Sequence, residues 1–124
     1  MSGKSAEIMK KISAVVWTIL FVLFAYYQRN DPDPMVWILI YGASALIAVL
    51  VYMNKIRRPV LWVAFIALIA GALMLWPSSY EGLFLREDGS YTPAIEEARE
   101  SLGLLIASIS MAWHLFVSKA GKAS

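Results

Sequence analysis

Four long stretches of this chain, residues 12–28, 34–54, 59–80 and 101–118, contain no Asp, Glu, Lys or Arg. Between them the polar positions are crowded into short gaps. A bilayer crossing needs about 20 apolar residues to span roughly 30 Å of hydrocarbon at 1.5 Å per residue. The second and third stretches reach that length, and Lys11 and Lys119 can extend the first and last by snorkelling to the headgroups. A water-soluble bundle would carry charges every few residues along its outer faces, and these stretches carry none. The pattern predicts an all-α fold: a bundle of four transmembrane helices over about residues 7–28, 34–54, 59–77 and 93–118. An outer loop over about 78–92 completes a single membrane domain covering 1–124.

Charge then orients the helices. The two ends and the middle gap carry Lys4, Lys10, Lys11, Lys55, Arg57, Arg58, Lys119 and Lys122, which are eight of the eleven basic residues. The other two gaps carry Asp31, Asp33, Glu81, Glu87, Asp88, Glu96, Glu97 and Glu100, which are eight of the nine acids. Basic residues in short loops stay cytoplasmic, so both termini are expected inside. The expected location is a bacterial inner membrane. The first stretch lacks a small-x-small cleavage pattern after Tyr26-Tyr27-Gln28-Arg29 and reads as an uncleaved helix.

Composition agrees. The chain is 60% hydrophobic with a mean hydropathy of +0.63, above what a soluble domain carries. It has no cysteine, which excludes disulfides, thiol catalysis and thiolate metal sites. The basic residues form a topology signal with no nucleic-acid motif. Tyr26, Tyr27, Trp37, Trp76 and Tyr80 fall at the outer interface, and Tyr52, Trp62 and Trp113 near the inner one. All five prolines lie at or beyond the ends of the stretches, so no broken helix of the transporter kind is indicated.

Short connections over 29–33 and 55–58 predict neighbouring antiparallel helices. Gly82 and Gly89 read as turn points of the longer third connection, and 80–85 is apolar enough to lie on the membrane surface. Thr92-Pro93 reads as a helix start, with Thr92 as N-cap and Pro93 first in the helix. Small residues mark the inner faces: Gly42, Ser44, Ala45 and Ala48 in the second helix, Ala64, Ala67 and Gly71 in the third. In the fourth, Glu100, Gly103, Ala107, Ser110 and His114 alternate spacings of three and four, a stripe on one face.

Candidate chemistry gathers outside. In Asn30-Asp31-Pro32-Asp33-Pro34, Asn30 can close one helix and Asp33 cap the next. The same Pro-stiffened turn can also offer carboxylates to a cation or polar ligand. In Glu96-Glu97-Ala98-Arg99-Glu100, Glu96 and Arg99 can pair as an ordinary solvated turn. Alternatively, Arg99 reaches Asp31 or Asp33 and ties both loops into one polar site. His114, the only histidine, sits roughly five turns from these acids, which argues against one metal site combining them. It is expected to bond within the bundle or lie at the interface. Ser44, Ser108 and Ser110 have no adjacent base. No acid lies mid-span, against a small proton-coupled exporter.

Two segments carry a family likeness. Ala25-Tyr26-Tyr27-Gln28-Arg29-Asn30-Asp31-Pro32-Asp33-Pro34, running into Trp37 and Tyr41-Gly42, resembles the Asn-Asp-Pro-Asp segment of the transmembrane protein 220 family. Glu96-Glu97-Ala98-Arg99-Glu100-Ser101-Leu102-Gly103 is similar to its second signature. The resemblance implies a small multi-pass membrane protein, adds weight to Asn30, Asp31, Asp33, Arg99 and Glu100, and assigns no activity. The expectation is a non-enzymatic structural, binding or accessory protein in the lipid bilayer. Its outward polar cluster consists of Asn30, Asp31, Asp33, Glu96, Arg99 and Glu100. No catalytic residue or metal site is indicated, and neither a cofactor nor the ligand is specified. The alternatives are an oligomeric transporter or channel for cations or small solutes, which would need a homo-oligomer, and a membrane enzyme acting on lipid headgroups.

Overall fold

A computed structural model describes residues 3–30, 34–76 and 93–122. It is all-helical, with no strand among the described residues. Helix α1 covers Gly3–Tyr27 and runs into a 3-10 turn, Gln28–Asn30. Helix α2 covers Pro34–Tyr52, α3 Arg58–Met74 and α4 Pro93–Lys122.

The helix ends have local causes. α2 stops two residues before the expected boundary because Asn54 takes a left-handed backbone, φ 59°. The Asn54 N–H donates to the Val51 carbonyl at 3.1 Å and the Lys55 N–H to the Leu50 carbonyl at 2.9 Å. These two bonds are the paired closure of a Schellman motif, and asparagine tolerates the left-handed position that glycine usually fills. α3 begins with Pro at its second position after an extended Arg57. It ends three residues earlier than expected, where the Leu75 N–H donates to the Gly71 carbonyl at 3.0 Å and the chain turns away. Trp76 precedes a proline, whose ring disfavours helical backbone at the residue before it. α4 opens on Pro93 as expected; the N-cap Thr92 and the 78–92 loop lie outside the described residues.

Three helices are long and apolar enough to cross a membrane: Lys4–Tyr27, Pro34–Tyr52 and Glu97–Ser118. The fourth, Arg58–Met74, is apolar but 17 residues long, below the usual span. α4, at 30 residues, is about 45 Å long, so it outruns the hydrocarbon layer.

Packing is organised for lipid. Large aliphatic side chains face outward, with Ile12 60%, Leu39 64% and Val63 68% exposed. Small ones face inward, including Ala14, Ala45, Ala48, Ala72 and Ala107. In water, exposed apolar surface on this scale would drive association. In hydrocarbon it costs nothing, and small interior residues let helix backbones approach closely. The α4 stripe of Gly103, Ala107, Ser110 and His114 is buried, as its spacing implies, with Glu100 half-buried at its head. Gly42 and Ala67, expected inside, are exposed.

α4 is the central element, packing against α1, α2 and α3, while α1 also packs along α2. One expectation fails here. α2 and α3 are joined by a short connection, yet among the described residues no Cα pair between them comes within 8 Å. Their side chains meet only through shared clusters, such as Val51 and Leu61 beside Ala14, Met111 and Leu115. A short connection constrains two helix ends and leaves the rest free to diverge, and here α4 takes the place beside α3.

Interior hydroxyls are satisfied within their own helices. Ser44 donates to the Ile40 carbonyl at 3.0 Å, Ser108 to Leu105 at 2.7 Å and Ser110 to Ala107 at 2.6 Å. This back-bonding lets serine occupy a low-dielectric interior without a partner on a neighbouring helix.

Candidate functional site

At one end of the bundle, the last turns of α1 meet the start of α4. Phe24, Tyr27 and Gln28 of the α1 end, Tyr41 of α2, and Arg99 and Gly103 of α4 line an open pocket of about 290 Å³. Tyr41 is its anchor, 3% exposed. Its ring stacks on Phe21 at 6.3 Å and meets the edge of Phe24 at 5.3 Å, with Trp37 at 6.3 Å on the third side. A Cβ at Gly103 would overlap the Tyr41 hydroxyl and stand 3.0 Å from Cζ, so glycine is what admits the ring against α4.

This contact joins the two family-like segments, since Tyr41 belongs to the first and Gly103 to the second. Of the six candidate residues, the structure positions two side chains. Arg99 and Glu100 are half-buried and both take part in polar or electrostatic contacts. Asn30 closes the 3-10 turn and Glu96 lies in the first turns of α4, but neither side chain is among those described. Asp31 and Asp33 lie outside the described residues, as does any contact of theirs with Arg99. Arg29 stacks over the Tyr26 ring at 3.9 Å, at the C-terminal end of α1.

The chain matches the family described as "Transmembrane family 220, helix" over residues 20–116, which is 97 of its 124 residues. The chain belongs to that family. It is therefore an integral membrane protein with several apolar helices. No solved structure matches it. The family 220 match contains Tyr41, Arg99 and Gly103, so the aromatic pocket is built entirely from matched positions.

The opposite end holds a polar network that the charge pattern concealed. Lys10 is buried at 7% exposure. Its ammonium pairs with the Glu7 carboxylate at 2.9 Å and donates to the Asn54 side-chain oxygen. The Asn54 amide donates back to Glu7 at 3.2 Å, closing a triangle between α1 and the end of α2. Beside it, Arg58 donates to the Leu115 carbonyl of α4 at 2.8 Å. Lys11 lies 5.6 Å from the Tyr52 ring centroid and supports the same α1–α2 junction. Glu7, the one acid among the basic gaps, placed three residues before Lys10, was the available signal. The family 220 match includes Asn54 and Arg58 but starts after Glu7 and Lys10.

His114 is fully buried, and neither ring nitrogen has a hydrogen-bond partner among the described residues, so the bond expected within the bundle is not found there. The Trp113 indole N–H, next along α4, is likewise buried and unbonded.

Proposed function

We propose that this family 220 protein crosses a bacterial inner membrane four times, with both termini cytoplasmic. Its role is non-enzymatic, binding a polar ligand or partner at the Arg99 end. The fourth crossing is α3, whose 17 residues cover about 26 Å. Arg57 and Arg58 at its start can snorkel and make up the difference. The sorting of basic and acidic gaps then sets the direction.

The observation that carries the binding role is the setting of Arg99. Its guanidinium is half-buried at a pocket walled by Phe24, Tyr27 and Tyr41, where the two specific segments touch. A charge withdrawn from water beside aromatic faces interacts more strongly with a ligand than a solvated one does. Glu100, half-buried one position on, adds a carboxylate there, and Asn30, Asp31, Asp33 and Glu96 are the residues whose place in the sequence makes them candidates for further complementary oxygens. Native mass spectrometry of the protein released from mild detergent tests this. A retained mass on the parent should disappear in Arg99→Ala and Asp31→Ala while helix content by circular dichroism is unchanged. Retention of that mass in both variants would overturn the binding role.

A further inference from the structure

The Lys10 end contains a cavity of about 330 Å³, lined by Glu7, Lys10, Asn54, Arg58 and Ser118 over the apolar side chain of Val51. From the cavity composition, we infer that it binds a phosphate-bearing anion, with Lys10 and Arg58 as its cationic contacts.

Three observations combine. First, the cations are held in place before any ligand arrives. Lys10 is fixed by Glu7 and Asn54, and Arg58 is pinned by the Leu115 carbonyl. That bond uses one of the five guanidinium N–H donors, and the planar fork suits phosphate oxygens. Second, the charges do not balance. Glu7 offsets one of the two cations, so the cavity wall carries a net positive charge. The exposed Lys11, Lys55 and Arg57 add to the same field. Third, the polar lining has an apolar floor at Val51, as expected of a pocket at the hydrocarbon boundary. Basic pockets between membrane helices take anionic headgroups by this combination of charge and depth. The pocket is independent of the Arg99 site, which lies at the other end of the bundle.

The phosphate can come from a lipid headgroup or from solution, and one titration separates the sources. Purified full-length protein in mild detergent is titrated with phosphatidylglycerol or phosphatidylcholine and read by native mass spectrometry, with and without added inorganic phosphate. One net cation near the headgroup gives a preference of about fivefold for phosphatidylglycerol. Arg58→Gln and Ser118→Asp should each bring that preference to parity. Ser118→Asp leaves the Glu7–Lys10–Asn54 triangle untouched and adds a carboxylate to the cavity wall. Arg99→Ala should keep the preference. Displacement of the anionic lipid by inorganic phosphate would assign the site to free phosphate; no displacement would assign it to the headgroup. Equal binding of the two lipids by the parent, or an unchanged preference in both cavity variants, would overturn the inference.

Discussion

Replacing Gly103 by alanine should be far more disruptive than one methyl group suggests. The added Cβ would overlap the Tyr41 hydroxyl and lie 3.0 Å from Cζ and 3.5 Å from Cε1. Tyr41 cannot swing aside easily, because Phe21, Phe24 and Trp37 surround its ring within 6.3 Å. Either α4 moves outward or the aromatic cluster repacks. Overpacking of this kind costs about 1–3 kcal/mol. Alanine returns up to about 1 kcal/mol in helix propensity, which leaves a net loss of up to about 2 kcal/mol, and about 1–3 kcal/mol relative to an alanine that gains the propensity without a clash. Tyr41→Phe alone should cost about 1 kcal/mol for the lost hydroxyl interaction. In the double variant the overlapping oxygen is gone, so its loss should fall short of the sum of the two single losses by at least about 0.5 kcal/mol. The assay is SDS-induced unfolding in mixed micelles, followed by far-ultraviolet circular dichroism. Gly42→Ala serves as the control, since a Cβ there meets nothing within 4 Å. Additive losses, or a Gly103→Ala variant as stable as Gly42→Ala, would refute the close approach of Tyr41 to α4.

Three other outcomes follow from particular contacts. Asn54→Ala should destabilise by about 2 kcal/mol, about half from the left-handed backbone and half from lost bonds to Lys10 and Glu7. Asn54→Gly should lose only the second part, and equal effects in the same unfolding assay would contradict that division. His114→Leu should be neutral or stabilising, because both ring nitrogens are buried without a partner and leucine removes that desolvation penalty. A loss above about 1 kcal/mol would mean that the imidazole has a partner. Gly71→Ala should fall between the two glycine extremes, since its Cβ would approach the flexible Leu104 Cδ1 at 3.1 Å; a loss as large as that of Gly103→Ala would count against this placement.

The helices were legible because charge-free length is a direct consequence of hydrocarbon thickness. Their ends were less so. α2 closes at Asn54 through a backbone conformation that composition does not announce, and α3 stops at Met74 although the apolar stretch continues. The α4 stripe could be read because Gly103, Ala107, Ser110 and His114 combine small size with helical spacing. Small size alone misled at Gly42 and Ala67, which face outward, because a small residue packs inside only where another helix lies over it. Neighbour relations were hidden for the same reason: nothing local in α3 indicates that it packs on α4 in preference to α2. The aromatic pocket is half legible: Arg99 stands out as the basic residue of an acidic gap, whereas the sequence marks Tyr41 only as part of a family-like segment. The Lys10 network is not legible locally, because Glu7 and Lys10 are separated from Asn54 by more than forty residues and a basic gap carries the same composition with or without such a contact.

Everything proposed about the two ends requires them to lie on opposite faces of one membrane, and α3 is the helix on which this turns. The chain has no cysteine, so single substitutions can report sidedness cleanly. Lys55→Cys and Glu97→Cys, placed on either side of α3, should be treated with a membrane-impermeant maleimide in spheroplasts and in inverted vesicles. Glu97→Cys should label only in spheroplasts and Lys55→Cys only in inverted vesicles. Labelling of both from the same face would mean that α3 does not cross, and would contradict the four-crossing arrangement.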